Sequence, residues 1–426
     1  MIKQIITNDR LGESCISAIH PSGLTVLICP KPEFATAYAL FGTKYGSIDT
    51  RFRIKGESEF TDVPEGIAHF LEHKLFESEE GDAFTRFSAT GGYANAYTSF
   101  DRTCYLFSCT ERFEENLDIL LDFVRHPYFT EATVQKEQGI IGQEIRMYDD
   151  DPAWCCFFNL LCSMYSHHPV RIDIAGTVDS IAQINADLLY KCYNTFYNPS
   201  NMFLCIAGNV DPDFILNKVD EVLADAKGVE IERGTFEEQE GVLRAKVEKA
   251  MPVAMPLFNL GFKEACPTPK KTLKEKIETD ILLEMLAGKS SPLYNKLLEQ
   301  GLVNDRFEAS YFTGHGFAVE IFEGESNDPY AVAEAVSSEI ERARREGIKA
   351  EDFIRAKNAL YGRNIMLYNS IERVASALVS AVMEEHAPFD VQKVFDSVTL
   401  EDICHRLDLQ LKPERMAISV ITPEKA

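Results

Sequence analysis

The chain has 426 residues, of which 45% are hydrophobic, and a formal net charge of −24. That length accommodates two domains, each able to bury its own core, and the apolar fraction is ordinary for a globular protein. The acidic balance argues against a nucleic-acid binder, which needs Lys and Arg to neutralise phosphates; it suits cationic peptides or plain solubility.

The first fifteen residues, MIKQIITNDRLGESC, lack the apolar stretch of a signal peptide, and no run of about 18 apolar residues marks a membrane span. The eleven cysteines are odd in number and form no C-x-x-C pair, and Cys155 and Cys156 are adjacent in an apolar predicted helix. They read as reduced core thiols, so a cytoplasmic location is expected.

Apolar runs at 24–29 and 38–41 predict the first strands. Residues 66–77, GIAHFLEHKLFE, then carry Ile67, Phe70, Leu71 and Leu75 at helical spacing, while Pro64 and Glu65 suit a first turn. His69 and His73 stand four apart and share a face, with Glu72 beside them. A catalytic zinc site takes three protein ligands and leaves a position for water, whose pKa falls to about 7. A neighbouring carboxylate can complete the deprotonation. Two histidines on a half-buried helix are also ordinary polar-edge residues, so a third ligand has to come from elsewhere.

Past a strand at 105–109, residues 131–147 predict a second helix, capped by Thr130, with Val134, Ile140, Ile141 and Ile145 as its apolar positions. Glu137 and Glu144 lie two turns apart on one face of it. A strand follows at 203–207. The stretch 228–241 is charged, holds three glycines and has no apolar face, which predicts a metal-bearing domain at 1–228, a linker at 229–241 and a second domain at 242–426. The alternation then returns: a strand at 258–262, helices at 279–286 and 331–345, and a closing strand at 416–421. This is an α+β pattern written twice. Gly288-Lys289-Ser290 imitates the end of a phosphate loop, but Leu283 stands where a glycine is needed and a helix precedes it, so ATP binding is excluded. His167, His168 and His315 lack ligand-like company and read as polar contacts.

H-x-x-E-H followed by a helix with E-x6-E resembles the inverted-motif zinc peptidases of the pitrilysin and mitochondrial-processing-peptidase family, in their small bacterial two-domain form. The likeness extends to Tyr93–Thr98 with Asp101–Leu106, to His168-Pro169, to Ala175-Gly176-Thr177, and to Tyr197–Met202 with Ala207–Asp211. It implies that His69, His73 and Glu144 bind one Zn2+ per chain, that Glu72 is the base, and that Glu137 supports the site. It casts Asn95 and Ala96 as residues that pair an extended peptide with a sheet edge. It also implies two related domains, each a mostly antiparallel sheet covered on one face by helices, together forming half of a chamber.

Around Ser290 the chain resembles the segment where family members carry an Arg and, seven residues on, a Tyr aimed at the substrate carbonyl. Leu298 and Asn304 or Asp305 occupy those places; Arg306 and Tyr311, five apart, are the alternative pair. The resemblance therefore implies the metal-bearing subunit of a heterodimer whose related partner supplies the Arg/Tyr half of the site, or of a homodimer. The expected activity is zinc-dependent endopeptidase hydrolysis of unfolded peptides. The competing expectation is a non-catalytic scaffold or peptide-binding subunit of a hetero-oligomer. A structural zinc site would need four closed ligands, and only three are found.

Overall fold

The computed structural model describes residues 1–79, 81–266, 268 and 270–424. The chain resolves into two units, each discontinuous in sequence: residues 1–145, 173–234 and 365–390 form the first, and residues 146–172, 235–364 and 391–426 the second.

The first unit is built on seven strands in the order Ile2–Asn8, Glu13–Ile19, Thr25–Pro30, Met202–Gly208, Ala37–Thr43, Thr103–Cys109, Tyr93–Thr98. Met202–Gly208 runs parallel to Thr25–Pro30, and every other neighbouring pair is antiparallel. Every residue of the 202–208 strand is buried. Its unbroken apolar run follows from a sheet covered on both faces. Leu204 and Ile206 point into the main core with Phe70 and Leu71, whereas Phe203, Cys205 and Ala207 point the other way, under the helix Ile371–Glu384. That helix presents Ile371, Val374, Ala375, Leu378, Val379 and Val382, a continuous apolar stripe at helical spacing.

The second unit has five strands in the order Lys246–Met251, Met416–Pro423, Leu257–Lys263, Phe317–Glu325, Glu308–Gly314. Its first pair is parallel and the rest antiparallel. Strand order, orientation and chain order all repeat those of the last five strands of the first sheet. The halves are thus related in topology although no residue-level repeat is visible. The helix Pro152–Met164 packs on the face opposite the main helical layer. Gly261 permits this approach, because a Cβ there would lie 2.5 Å from Met164 Cε and 2.9 Å from Leu160 Cδ2. Lys263 Nζ donates to the Met164 carbonyl at 2.8 Å and anchors the helix end.

Two features depart from the expected layout. Each sheet carries helices on one face, as expected, but also one helix on the other face, drawn from the opposite half of the sequence. Residues 152–164 and 371–384 therefore group across the sequential division at 229–241. The charged stretch itself is pinned: Ile231–Arg233 pairs with Arg51–Ile54 in the first unit, and Glu238 accepts the backbone N–H groups of Ser166 and His168 in the second. The predicted strands and helices are all present; most extend one to six residues further, whereas the strand expected at 24–29 spans Thr25–Pro30 and the helix expected within 66–77 spans Ile67–Leu75.

One buried carboxyl stands out in the second core. Glu320 is fully buried on the helix-covered face, opposite Tyr311 and Phe262, and neither carboxyl oxygen has a hydrogen-bond partner among the described residues. Burial, reinforced by the nearby Glu264 charge, pushes its carboxyl well above the usual range. A folded pKa raised above the unfolded one leaves stability intact below about pH 4.5 and erodes it as pH rises toward the folded value. Glu320→Gln should therefore raise the melting temperature at pH 7–8, by roughly 2–4 °C per kcal/mol recovered, and leave it unchanged near pH 4. Thermal melts of both proteins across that range check this.

Candidate metal centre

The H-x-x-E-H helix spans Ile67–Leu75 and starts behind Gly66, whose φ of 85° is left-handed. A Cβ at Gly66 would lie 2.3 Å from the Ala175 carbonyl oxygen, and one at Gly176 would lie 2.5 Å from that of Glu65. The Ala175-Gly176-Thr177 turn thus seats the helix start, and Ser180 Oγ donates to Glu65 O at 2.9 Å. Ile67, Ala68, Phe70, Leu71 and Leu75 enter the core. Their burial fixes the rotation of the helix and leaves the face bearing His69 and His73 toward the second helix.

That second helix spans Glu131–Asp149, and Thr130 Oγ1 caps it by accepting from Thr133 N at 3.2 Å. Val134, Ile141 and Ile145 anchor it, whereas Ile140, expected among its apolar contacts, is 46% exposed. Glu137 is buried, and His73 Nδ1 lies 3.0 Å from its Oε1. Glu144 sits two turns on, with Oε1 3.7 Å from His69 Nε2 and Oε2 3.5 Å from His73 Nε2. One ligand atom from each of His69, His73 and Glu144 lies within 4.8 Å of the others. Tetrahedral zinc with bonds of about 2.0–2.2 Å separates neighbouring ligand atoms by about 3.3–3.6 Å. The donors are therefore spaced close to what such an ion needs, and both histidines offer Nε2.

The charges fit the same ion. Burial, with a smaller push from His73, lowers His69 to about 3, so its ring is neutral at ordinary pH, the state a metal ligand requires. Burial alone would lower His73 too, but its bond to Glu137 and the charges of Glu72 and Glu144 prevail and raise it. Burial raises Glu72, and the Thr98 hydroxyl opposes this. Three carboxylates crowd two imidazoles, an excess of negative charge that a divalent cation would relieve.

Glu72 is 9% exposed and accepts a hydrogen bond from Thr98 Oγ1 at 2.7 Å. Thr98 carries no motif in the sequence. Its only signal was a hydroxyl residue at the inward parity of an edge strand, in line with Ala94 and Ala96. Asn95 and Ala96 lie on that strand, Tyr93–Thr98, the last in its sheet. They pair with Leu106 and Tyr105, and the opposite edge pairs with no strand among the described residues. Asn95 is exposed, and its Oδ1 accepts from Ala96 N at 2.9 Å.

In the second unit Leu298 is 44% exposed, and Asn304 donates to Glu325 at 2.7 Å. Arg306 also bonds Glu325, at 2.6 Å, and Tyr311 bonds Glu264. The alternative Arg/Tyr pair is thus engaged within its own unit. His168 Nε2 contacts the His315 carbonyl at 3.0 Å, a polar contact. The helix Leu273–Ala287 precedes Gly288-Lys289-Ser290.

A helix bearing H-x-x-E-H with a glutamate converging from a second helix, on one of two topologically matched α+β units, is the layout of the inverted-motif metallopeptidase class. Comparison with known proteins narrows this. Residues 58–178 match the family model described as insulinase (peptidase family M16), and residues 183–360 match the peptidase M16 inactive domain. An uncharacterized zinc protease of Bacillus subtilis (strain 168), YmfH, is 44% identical over 429 residues that span both chains completely. A second from that organism, YmxG, is 26% identical, with 84% of this chain and 88% of that protein covered. The crystal structure of a putative M16-like peptidase from Alicyclobacillus acidocaldarius matches with a TM-score of 0.94 at 37% identity, covering 98% of this chain and 100% of that one. The chain belongs to peptidase family M16. Among the described residues no helix is long and apolar enough to cross a membrane.

Proposed function

We propose that this chain is the metal-bearing subunit of a zinc-dependent endopeptidase acting on unfolded peptides. The observation that carries the reading is the convergence of His69 Nε2, His73 Nε2 and Glu144 with Glu72 on the adjoining turn. Relatives named zinc proteases support zinc as the ion, one per chain. When bound, zinc would supply Lewis acidity to the scissile carbonyl and acidify a water.

The protein residues do the rest. An extended peptide pairs with the free edge of Tyr93–Thr98, where the backbone around Asn95 and Ala96 supplies main-chain hydrogen bonds. Glu72 takes a proton from the attacking water and passes it to the leaving amine. Glu137 accepts a hydrogen bond from His73 Nδ1–H, which turns the Nε2 lone pair toward the ligand position.

This chain has Leu298, and Asn304 or Asp305, where the family's Arg and Tyr are expected, so we assign those carbonyl-directed donors to an unlike, related subunit. A homodimer is the alternative assembly. The eleven free cysteines support a reducing, cytoplasmic setting. The missing Arg/Tyr pair favours a second reading, a peptide-binding scaffold that holds zinc without cleaving.

Zinc content and cleavage of a quenched fluorescent peptide library, measured on the protein and on His73→Ala, each alone and mixed with a related Arg/Tyr-bearing subunit, test the proposal. The parent should hold one zinc and the variant none, with cleavage lost in parallel. Full zinc retention by His73→Ala would remove the ligand assignment.

A further inference from the structure

We infer that Thr98 is the positioning residue that fastens the base Glu72 to the strand on which the peptide docks, an inference that rests on the peptidase reading above. Thr98 ends the edge strand Tyr93–Thr98, and its side chain shares the inward parity of Ala94 and Ala96, the face on which the Ile67–Leu75 helix packs. Its Oγ1 lies 2.7 Å from Glu72 Oε2.

The direction of the hydroxyl bond follows from its neighbours. Thr98 pairs with Thr103 across the sheet, and the two hydroxyl oxygens are 3.4 Å apart. Thr103 Oγ1 donates its one proton to the Tyr45 carbonyl at 2.9 Å, so towards Thr98 it can only accept, and at 3.4 Å it is a far weaker acceptor than Glu72 Oε2 at 2.7 Å. The Thr98 proton is therefore directed at Glu72 Oε2. One carboxylate oxygen is held and the other left for proton transfer. Tyr45, Thr103 and Glu72 are buried and Thr98 is half-buried, so most of this chain of bonds lies away from bulk water.

The consequence is mechanical. The edge strand and the base move as one piece, so that a peptide aligned on the strand meets the carboxylate in a set register. Displacement of a catalytic group by about 1 Å can cost about a hundredfold in rate. A loose Glu72 would still sit in the site but would meet the water less often in line.

Thr98→Val removes the hydroxyl and keeps the shape, and Thr98→Ser restores the donor. Both are compared with the parent for kcat, KM and zinc content, under the conditions in which the parent cleaves. Thr98→Val should lose about 10- to 100-fold in kcat with KM and zinc unchanged, and Thr98→Ser should recover most of it. In a Glu72→Gln background, Thr98→Val should add no further loss. Parental kcat in Thr98→Val, or equal damage in both variants accompanied by zinc loss, would overturn the assignment. Should the parent show no cleavage either alone or mixed with a related subunit that carries the Arg/Tyr pair, the peptidase reading fails first. The crystal structures of zinc-loaded parent and Thr98→Val then decide this point separately: a displaced Glu72 carboxylate upholds the role of Thr98, and an unmoved one ends it.

Discussion

Glu72→Gln is expected to keep zinc at the parental stoichiometry, to bind peptide, and to lose hydrolysis by about 10²- to 10⁴-fold, the range for removal of a positioned general base. The amide is nearly isosteric with the carboxylate and can still bond Thr98 Oγ1, so the 2.7 Å contact and the helix packing survive. What disappears is an acceptor basic enough to take a proton from water. The ligands are separate atoms on His69, His73 and Glu144, so metal retention and hydrolysis should come apart. Zinc analysis, fluorescence anisotropy with a labelled peptide and a cleavage assay on the same preparation check all three. Cleavage at the parental rate by the Glu72→Gln variant would remove Glu72 from the mechanism.

The second large effect concerns the missing donors. Mixing this chain with a related subunit that carries Arg and Tyr seven residues apart should raise kcat by about 10²- to 10³-fold over the chain alone, the worth of a donor aimed at a developing oxyanion. The reason lies in the second unit. Leu298 offers no hydrogen-bond donor, and Asn304, Arg306 and Tyr311 already serve Glu325 or Glu264. Robust cleavage by the purified chain alone would overturn the divided site. Zinc binding with silence in every mixture would favour the scaffold reading.

Much of the site was legible because it is local. His69, Glu72 and His73 lie within one turn and a half of helix, and Glu137 and Glu144 within two turns of another, so spacing alone places each set on one face. The strand Met202–Gly208 was equally plain, as an apolar run too short for a helix. Ile140 misled, because a helix wedged between a core and a metal face has fewer inward positions than its apolar residues suggest. Thr98 was invisible, since nothing in sequence distinguishes a threonine that bonds a base 26 residues away from one that merely lines a strand.

The sequence by itself determined the elements, the ligand-bearing helices and the family resemblance, because these depend on periodicities of two and 3.6 residues and on motifs shorter than twenty residues. Tertiary structure alone decided which helix covers which sheet. Residues 152–164 and 371–384 show amphipathic or apolar patterns that would fit either core. Their partners were chosen by particular contacts, Gly261 making room for Met164 in one unit and Phe203 and Cys205 facing the 371–384 stripe in the other. Hydrophobic burial is non-directional, so a pattern tells a helix that it must be covered but not by what. The convergence of Glu144 on His69 and His73 was settled in the same way, by the packing of two helices far apart in the chain.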